Sequence, residues 1–185
     1  MILLFCGLSG AGKTTLAKNV ATELTELGVR TEIIDGDEYR SEICRDLGFS
    51  KADRCENIRR LGFVASRFSA HGIVTIVSAI NPYEEMRREL TEKYDHVNVV
   101  HIDCPVKQLI SRDTKGLYKK AFLPDGHPDK LKNLTGINAR FDVPYEPDLY
   151  INTSESTVQE STSSLLYFIL NNLHPVEPVK YKAAN

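Results

Sequence analysis

The run Gly7-Leu8-Ser9-Gly10-Ala11-Gly12-Lys13-Thr14 lies between a short apolar stretch and a stretch of helical period. No other feature restricts so tightly what this chain can fold into. It fits G-x-x-x-x-G-K-[ST], a phosphate-binding loop (P-loop), and Thr15 follows it. The glycines let backbone N–H groups turn inward around phosphate oxygens, and the helix after them offers its positive end. Residues 7–15 are therefore expected to bind a nucleoside triphosphate, with Lys13 reaching the β- and γ-phosphates and the Thr14 hydroxyl ligating Mg²⁺. A dinucleotide fold would need G-x-G-x-x-G in the same turn, and Gly7, Gly10 and Gly12 have the wrong spacing for it.

Such a loop requires a strand before it and a helix after it, and the rest of the chain continues that alternation. Apolar runs at 2–6, 29–35, 73–78, 97–103 and 148–152 read as strands buried on both faces of a parallel sheet. Helical periodicity is read at 14–27, 57–71, 82–94, 105–112 and 156–173, with Gly28 and Gly72 ending the first two helices. The expected fold is a doubly wound α/β domain with a five-stranded parallel sheet, spanning residues 1–173. Residues 113–147 hold turn formers and no sustained period, which reads as a mobile lid, and 174–185 as a flexible tail.

Composition narrows the function. Of 185 residues, 42% are hydrophobic and the formal net charge is −2, so neither disorder nor a basic nucleic-acid binder is expected. No apolar run reaches membrane-spanning length, and the opening apolar stretch is too short for a signal peptide. Cys6, Cys44, Cys55 and Cys104 form no C-x-x-C pair, which suits reduced thiols in a reducing, cytoplasmic setting.

The second strand ends in Asp35-Gly36-Asp37, with Arg40 beyond it. Ligands of doubly wound sheets bind past the carboxyl ends of strands, so these groups should face the nucleotide. One carboxylate would hold Mg²⁺ through water and the other would take a proton from an attacking hydroxyl; the plain alternative is a turn that caps a helix. Arg54, Asn57 and Arg60 are three residues apart, which allows a two-guanidinium clamp on an anion or, equally, a surface helix with a Glu56–Arg60 pair. From 105 to 120 five basic residues, Lys107, Arg112, Lys115, Lys119 and Lys120, face one acidic residue, Asp113. They suit closure over phosphates, or a solvated helix face.

Together GLSGAGKTT, IIDGDEYR, LGFSKADRCENIRR, SAINPY, RDTKGLYKKA and LTGI followed by PYEPDL resemble the adenylylsulfate kinase family, in the family's order from Gly7 to Leu149. The resemblance implies a P-loop kinase fold and ATP-dependent phosphorylation of the 3′-hydroxyl of adenosine 5′-phosphosulfate, with Mg²⁺, in sulfate assimilation. It implies Asp37, Lys13 and Lys115 as catalytic, Thr14 and Asp35 at the metal, and Arg40, Arg54 and Asn57 on the phosphosulfate. Phe49 matches an aromatic that stacks on the adenine, Ile80 a residue lining the acceptor site, and Leu134 the far side of the base pocket. A homodimer is implied, and association with a sulfurylase is left open. Three departures stand out: Asn81 replaces a serine linked to a phosphorylated enzyme form, Leu134 replaces a stacking phenylalanine, and Phe122 to Lys132 is longer than the usual lid. Two other readings stay open, a kinase for another nucleotide and a non-catalytic nucleotide-binding module.

Overall fold

The computed structural model describes residues 1–173; the tail expected at 174–185 lies outside the described residues. The elements run β1 (Ile2–Cys6), α1 (Lys13–Glu26), β2 (Thr31–Asp35), α2 (Gly36–Glu42), α3 (Lys51–Ala70) and β3 (Val74–Ser78). They continue as α4 (Glu84–Lys93), β4 (Val97–Asp103), α5 (Val106–Arg112), α6 (Leu117–Ala121), β5 (Leu149–Asn152) and α7 (Val158–Asn172). The five strands are all parallel and ordered β2-β3-β1-β4-β5, as expected of a doubly wound sheet.

Alternation along β1 explains how the sheet is buried on both sides. Leu3 and Phe5 join one core with Leu16, Val20 and Leu24 of α1 and Leu165 and Ile169 of α7. Ile2 and Leu4 join the other core with Ile58, Leu61 and Ala65 of α3 and Met86 and Leu90 of α4. Each large apolar side chain buried this way contributes roughly 1.5–3 kcal/mol, so these layers fix the sheet and its loop-bearing edge.

Three elements differ from the sequence expectation. Helix α3 begins at Lys51 rather than at residue 57, because Ser50 and Asp53 form a reciprocal capping box at its start. Helix α2, absent from the expectation, is nucleated by the Asp35 carboxylate, which accepts the N–H groups of Asp37 and Glu38. Helix α6 interrupts the stretch expected to be an aperiodic lid. There Tyr118, Ala121 and Leu134 are buried in the same core as Leu8 and Ala11 of the phosphate loop.

Close approach governs the first turn. A Cβ on Gly7 would lie 2.1 Å from the Ile102 carbonyl oxygen, at φ 151°. Gly126, at φ 88°, has nothing within 4 Å of the same position. Gly7→Ala should therefore cost at least about 3 kcal/mol in urea unfolding, and Gly126→Ala only about 1 kcal/mol. Equal losses would refute the close-approach account.

Candidate active site

A cavity of about 730 Å³ opens beyond the carboxyl ends of β1, β2 and β3. Ser9, Gly10, Gly12, Lys13, Thr14 and Thr15 line it from the phosphate loop. Leu8 and Ala11 are turned into the core, and Gly7 packs against Ile102, so any contact these three make with a nucleotide is confined to backbone atoms. Gly12 stands in the left-handed region at φ 99° as the N-cap of α1, a geometry that glycine adopts without a Cβ penalty. Two side chains outside the loop hold it in shape. The Tyr118 hydroxyl donates to the Ser9 carbonyl at 2.8 Å, and Thr153 Oγ1 donates to the Ala11 carbonyl at 3.0 Å.

Lys13 is 8% exposed, and its Nζ donates to the carbonyls of Gly7 and Leu8 at 2.8 and 2.7 Å. Burial, and then the nearby Lys115 charge, push its pKa down to about 8. Thr14 Oγ1 donates to Asp35 Oδ2 at 3.0 Å and lies 3.4 Å from Ser78 Oγ. Asp35 Oδ1 meanwhile accepts the N–H groups of Asp37 and Glu38 at 2.9 and 3.4 Å. The capping reading of this aspartate thus holds: one oxygen caps α2, while the other accepts from Thr14 of the phosphate loop.

The donors around Thr14 are all oxygens, which suits a hard cation such as Mg²⁺. Among the described residues no cluster of three His, Cys, Asp or Glu could hold a metal ion.

Asp37 is exposed in the cavity and pairs with Lys115, Nζ to Oδ2 2.5 Å, across 78 residues of sequence. This contact draws the segment after α5 over the β2–α2 turn. Also lining the cavity, the Arg40 and Arg54 guanidinium carbons lie 4.8 and 5.5 Å from the Phe49 ring centroid. Each arginine also shapes the loop that carries the ring. Arg40 donates to the Gly48 carbonyl at 2.8 Å, and Arg54 to the carbonyls of Phe49 at 3.1 Å and Asn133 at 2.7 Å. Partial burial lowers the Arg54 pKa from its ordinary value.

Asn57, Ile80 and Leu134 line the same cavity. Three buried polar side chains bring unpaired atoms to its wall: Asn57 Oδ1, both amide atoms of Asn81, and Thr135 Oγ1. Unpaired groups at such burial are rare.

At two places where the sequence left alternatives open, the structure takes the plainer one. Arg60 does not join Arg54 and Asn57; it turns outward to Asp46 and Glu56, because two carboxylates there offer close pairing at the surface. Of the basic residues between 105 and 120, only Lys115 lines the cavity, while Lys107, Arg112, Lys119 and Lys120 are exposed. Sequence reasoning also missed Ser78, Thr153 and Thr135. Ser78 ends β3 and Thr153 immediately follows β5, so the rule that ligands gather at strand carboxyl ends could have found both. Thr135 had no such signal.

Comparison with known proteins accords with this geometry. The family described as Adenylylsulphate kinase matches residues 1–152. An adenylyl-sulfate kinase of Synechococcus sp. (strain JA-3-3Ab) is 41% identical over 169 residues, covering 91% of each chain. This chain belongs to the adenylylsulfate kinase family. The structure of the Mycobacterium tuberculosis APS kinase in complex with AMPPNP and APS is 34% identical, with a TM-score of 0.83 over 91% of this chain and 96% of that one. A hexameric APS kinase from Thiobacillus denitrificans is 29% identical with a TM-score of 0.66, over 92% of this chain and 28% of that chain. Among the described residues no helix is long and apolar enough to cross a membrane.

The depressed Lys13 pKa has a measurable sign. Anionic phosphate beside the ammonium favours its charged form and raises the pKa from about 8. Nucleotide binding near pH 9 should then take up a proton, and binding at pH 6.5, where Lys13 is already charged, should not. Calorimetric titrations in buffers of different ionisation enthalpy read that uptake directly. Identical buffer dependence at the two pH values would contradict the assignment.

Proposed function

We propose that this protein transfers the γ-phosphoryl group of ATP to the 3′-hydroxyl of adenosine 5′-phosphosulfate, releasing ADP and 3′-phosphoadenylylsulfate. One observation carries the reading: Asp37 and Arg40 of α2 and Arg54 of α3 line the same cavity as Lys13 of α1. A carboxylate, an anion clamp and a phosphate cradle in one cavity are what in-line phosphoryl transfer to an anionic alcohol requires.

In this reading residues 9–15 hold the triphosphate, and Arg40, Arg54 and Asn57 hold the phosphosulfate. Phe49 stacks on the acceptor adenine, with Leu134 and Ile80 closing the pocket around it. Asp37 accepts the proton of the 3′-hydroxyl as its oxygen attacks the γ-phosphorus, and the bridging oxygen leaves with ADP. Lys13 and Lys115 neutralise the negative charge that develops on the phosphoryl oxygens. Thr14 and Asp35 would hold Mg²⁺, which supplies further charge neutralisation on the phosphates. The segment 113–147 carries Lys115 and acts as the lid that excludes water. The protein works as a homodimer in the cytoplasm.

The test is a product assay with ATP, Mg²⁺ and adenylylsulfate against a panel of other nucleotides. ADP release that depends on adenylylsulfate and yields a 3′-phosphorylated product is expected; none from pure, folded enzyme would refute the reading. Asp37→Asn should lower kcat by about 10²–10⁴ while the KM for ATP stays within about twofold. Phe49→Ala should raise the KM for adenylylsulfate by roughly tenfold, as expected for loss of one base–aromatic stack.

A further inference from the structure

The acceptor wall between β3 and α4 contains a cation that no step above uses. Arg87 of α4 is 1% exposed, and it is the largest of the fully buried side chains. Its guanidinium joins three pieces of chain. One nitrogen donates to the Asn81 carbonyl at 2.7 Å, another to the Asp142 carbonyl at 2.6 Å, and both Nε and Nη2 reach Glu84 Oε2 at 2.8 and 2.6 Å. Asp142 completes the frame by donating its N–H to the Pro82 carbonyl at 2.8 Å and accepting that of Glu84 at 3.3 Å.

At the centre of this frame Asn81 stands at φ 44°, in the left-handed region that few side-chain-bearing residues occupy. Such a backbone persists only when its surroundings over-determine it. The neighbouring Ile80 carbonyl is fixed independently, because it accepts the Gly7 N–H at 3.1 Å. The loop is thus pinned at two successive carbonyls, one by the phosphate loop and one by Arg87. Ala79, Ile80, Asn81 and Pro82 all line the cavity, and the Asn81 amide sits there with neither polar atom paired.

We infer that Arg87 is a positioning residue: by gripping the Asn81 carbonyl it holds the 79–82 wall, and the Asn81 amide with it, in register with the bound acceptor. The inference rests on the function proposed above and adds to it a residue that never touches substrate. A planar fork is needed for the role. The five N–H donors of Arg87 can serve two carbonyls and a carboxylate at once, whereas a lysine presents one flexible point charge. The nucleotide side is left alone, because the phosphate loop has its own supports in Tyr118 and Thr153.

Steady-state kinetics on full-length Arg87→Lys, Asn81→Gly and the double variant test this inference. Arg87→Lys should raise the KM for adenylylsulfate about tenfold and leave that for ATP within twofold. Glycine takes φ 44° without support, so the double variant should be no worse toward adenylylsulfate than Asn81→Gly alone. An equal rise in both KM values, or full multiplication of the two single effects, overturns the inference. If Arg87→Lys yields no folded enzyme, Glu84→Gln weakens the same grip from its solvent side and should raise the adenylylsulfate KM at least threefold; no change overturns it. Hydrogen exchange at 79–81 separates this inference from the function, since it needs no substrate. Exchange there should quicken at least tenfold in Arg87→Lys, or in Glu84→Gln if that is the variant that folds, with residues 9–14 unaltered. Unchanged exchange removes the brace whatever the enzyme phosphorylates.

Discussion

The turn after β1 must pass within contact distance of the last carbonyls of β4, and only a residue without a Cβ can make that passage at Gly7. Everything at the functional edge depends on this approach. It sets where the loop re-enters α1, and therefore where Lys13 and Thr14 stand relative to Asp35 on β2. A sheet buried on both faces supplies the rigidity, since β1 is packed from two sides by separate helix layers. The site is consequently assembled from short loops held by long-range packing rather than from a contiguous stretch of sequence.

Much of this was legible in the residues themselves, for physical reasons that differ from element to element. Strands buried on both faces announce themselves as short apolar runs, and all five were placed to within two residues at each end. The phosphate loop was legible because its function dictates backbone conformation, which restricts it to glycine at fixed positions. Helices α2 and α6 were not, because each is too short to show a sustained period and starts at a carboxylate, Asp35 or Asp113, that accepts its first N–H groups. The direction taken by Arg60 was legible only as one of two alternatives, the Glu56 pair being the other. Periodicity placed it near the face of Arg54 and Asn57, but the choice was made by Asp46, which lies outside the helix.

Several side chains at the site hold the protein together as well as facing its cavity. Asp35 divides its two oxygens between a helix start and the phosphate loop. Arg40 and Arg54 spend donors on the carbonyls of the loop that presents Phe49, so the aromatic ring and the two charges beside it are fixed as a unit. Folding thereby orders these groups before any ligand arrives, which reduces the ordering cost left to binding.

The link from Tyr118 to Ser9 limits how the covering segment can move. Its hydroxyl is hydrogen-bonded to the phosphate loop, and Ala121 and Leu134 are sunk in the same core. A strip fastened to the bed at both ends cannot lift away like a hinged flap. What can move without freeing these footings is the largely exposed stretch 122–132 and, on the other side of α6, the Lys115–Asp37 contact. The entrance would then behave as an arch with fixed footings, its span set by chain length rather than by a swinging door.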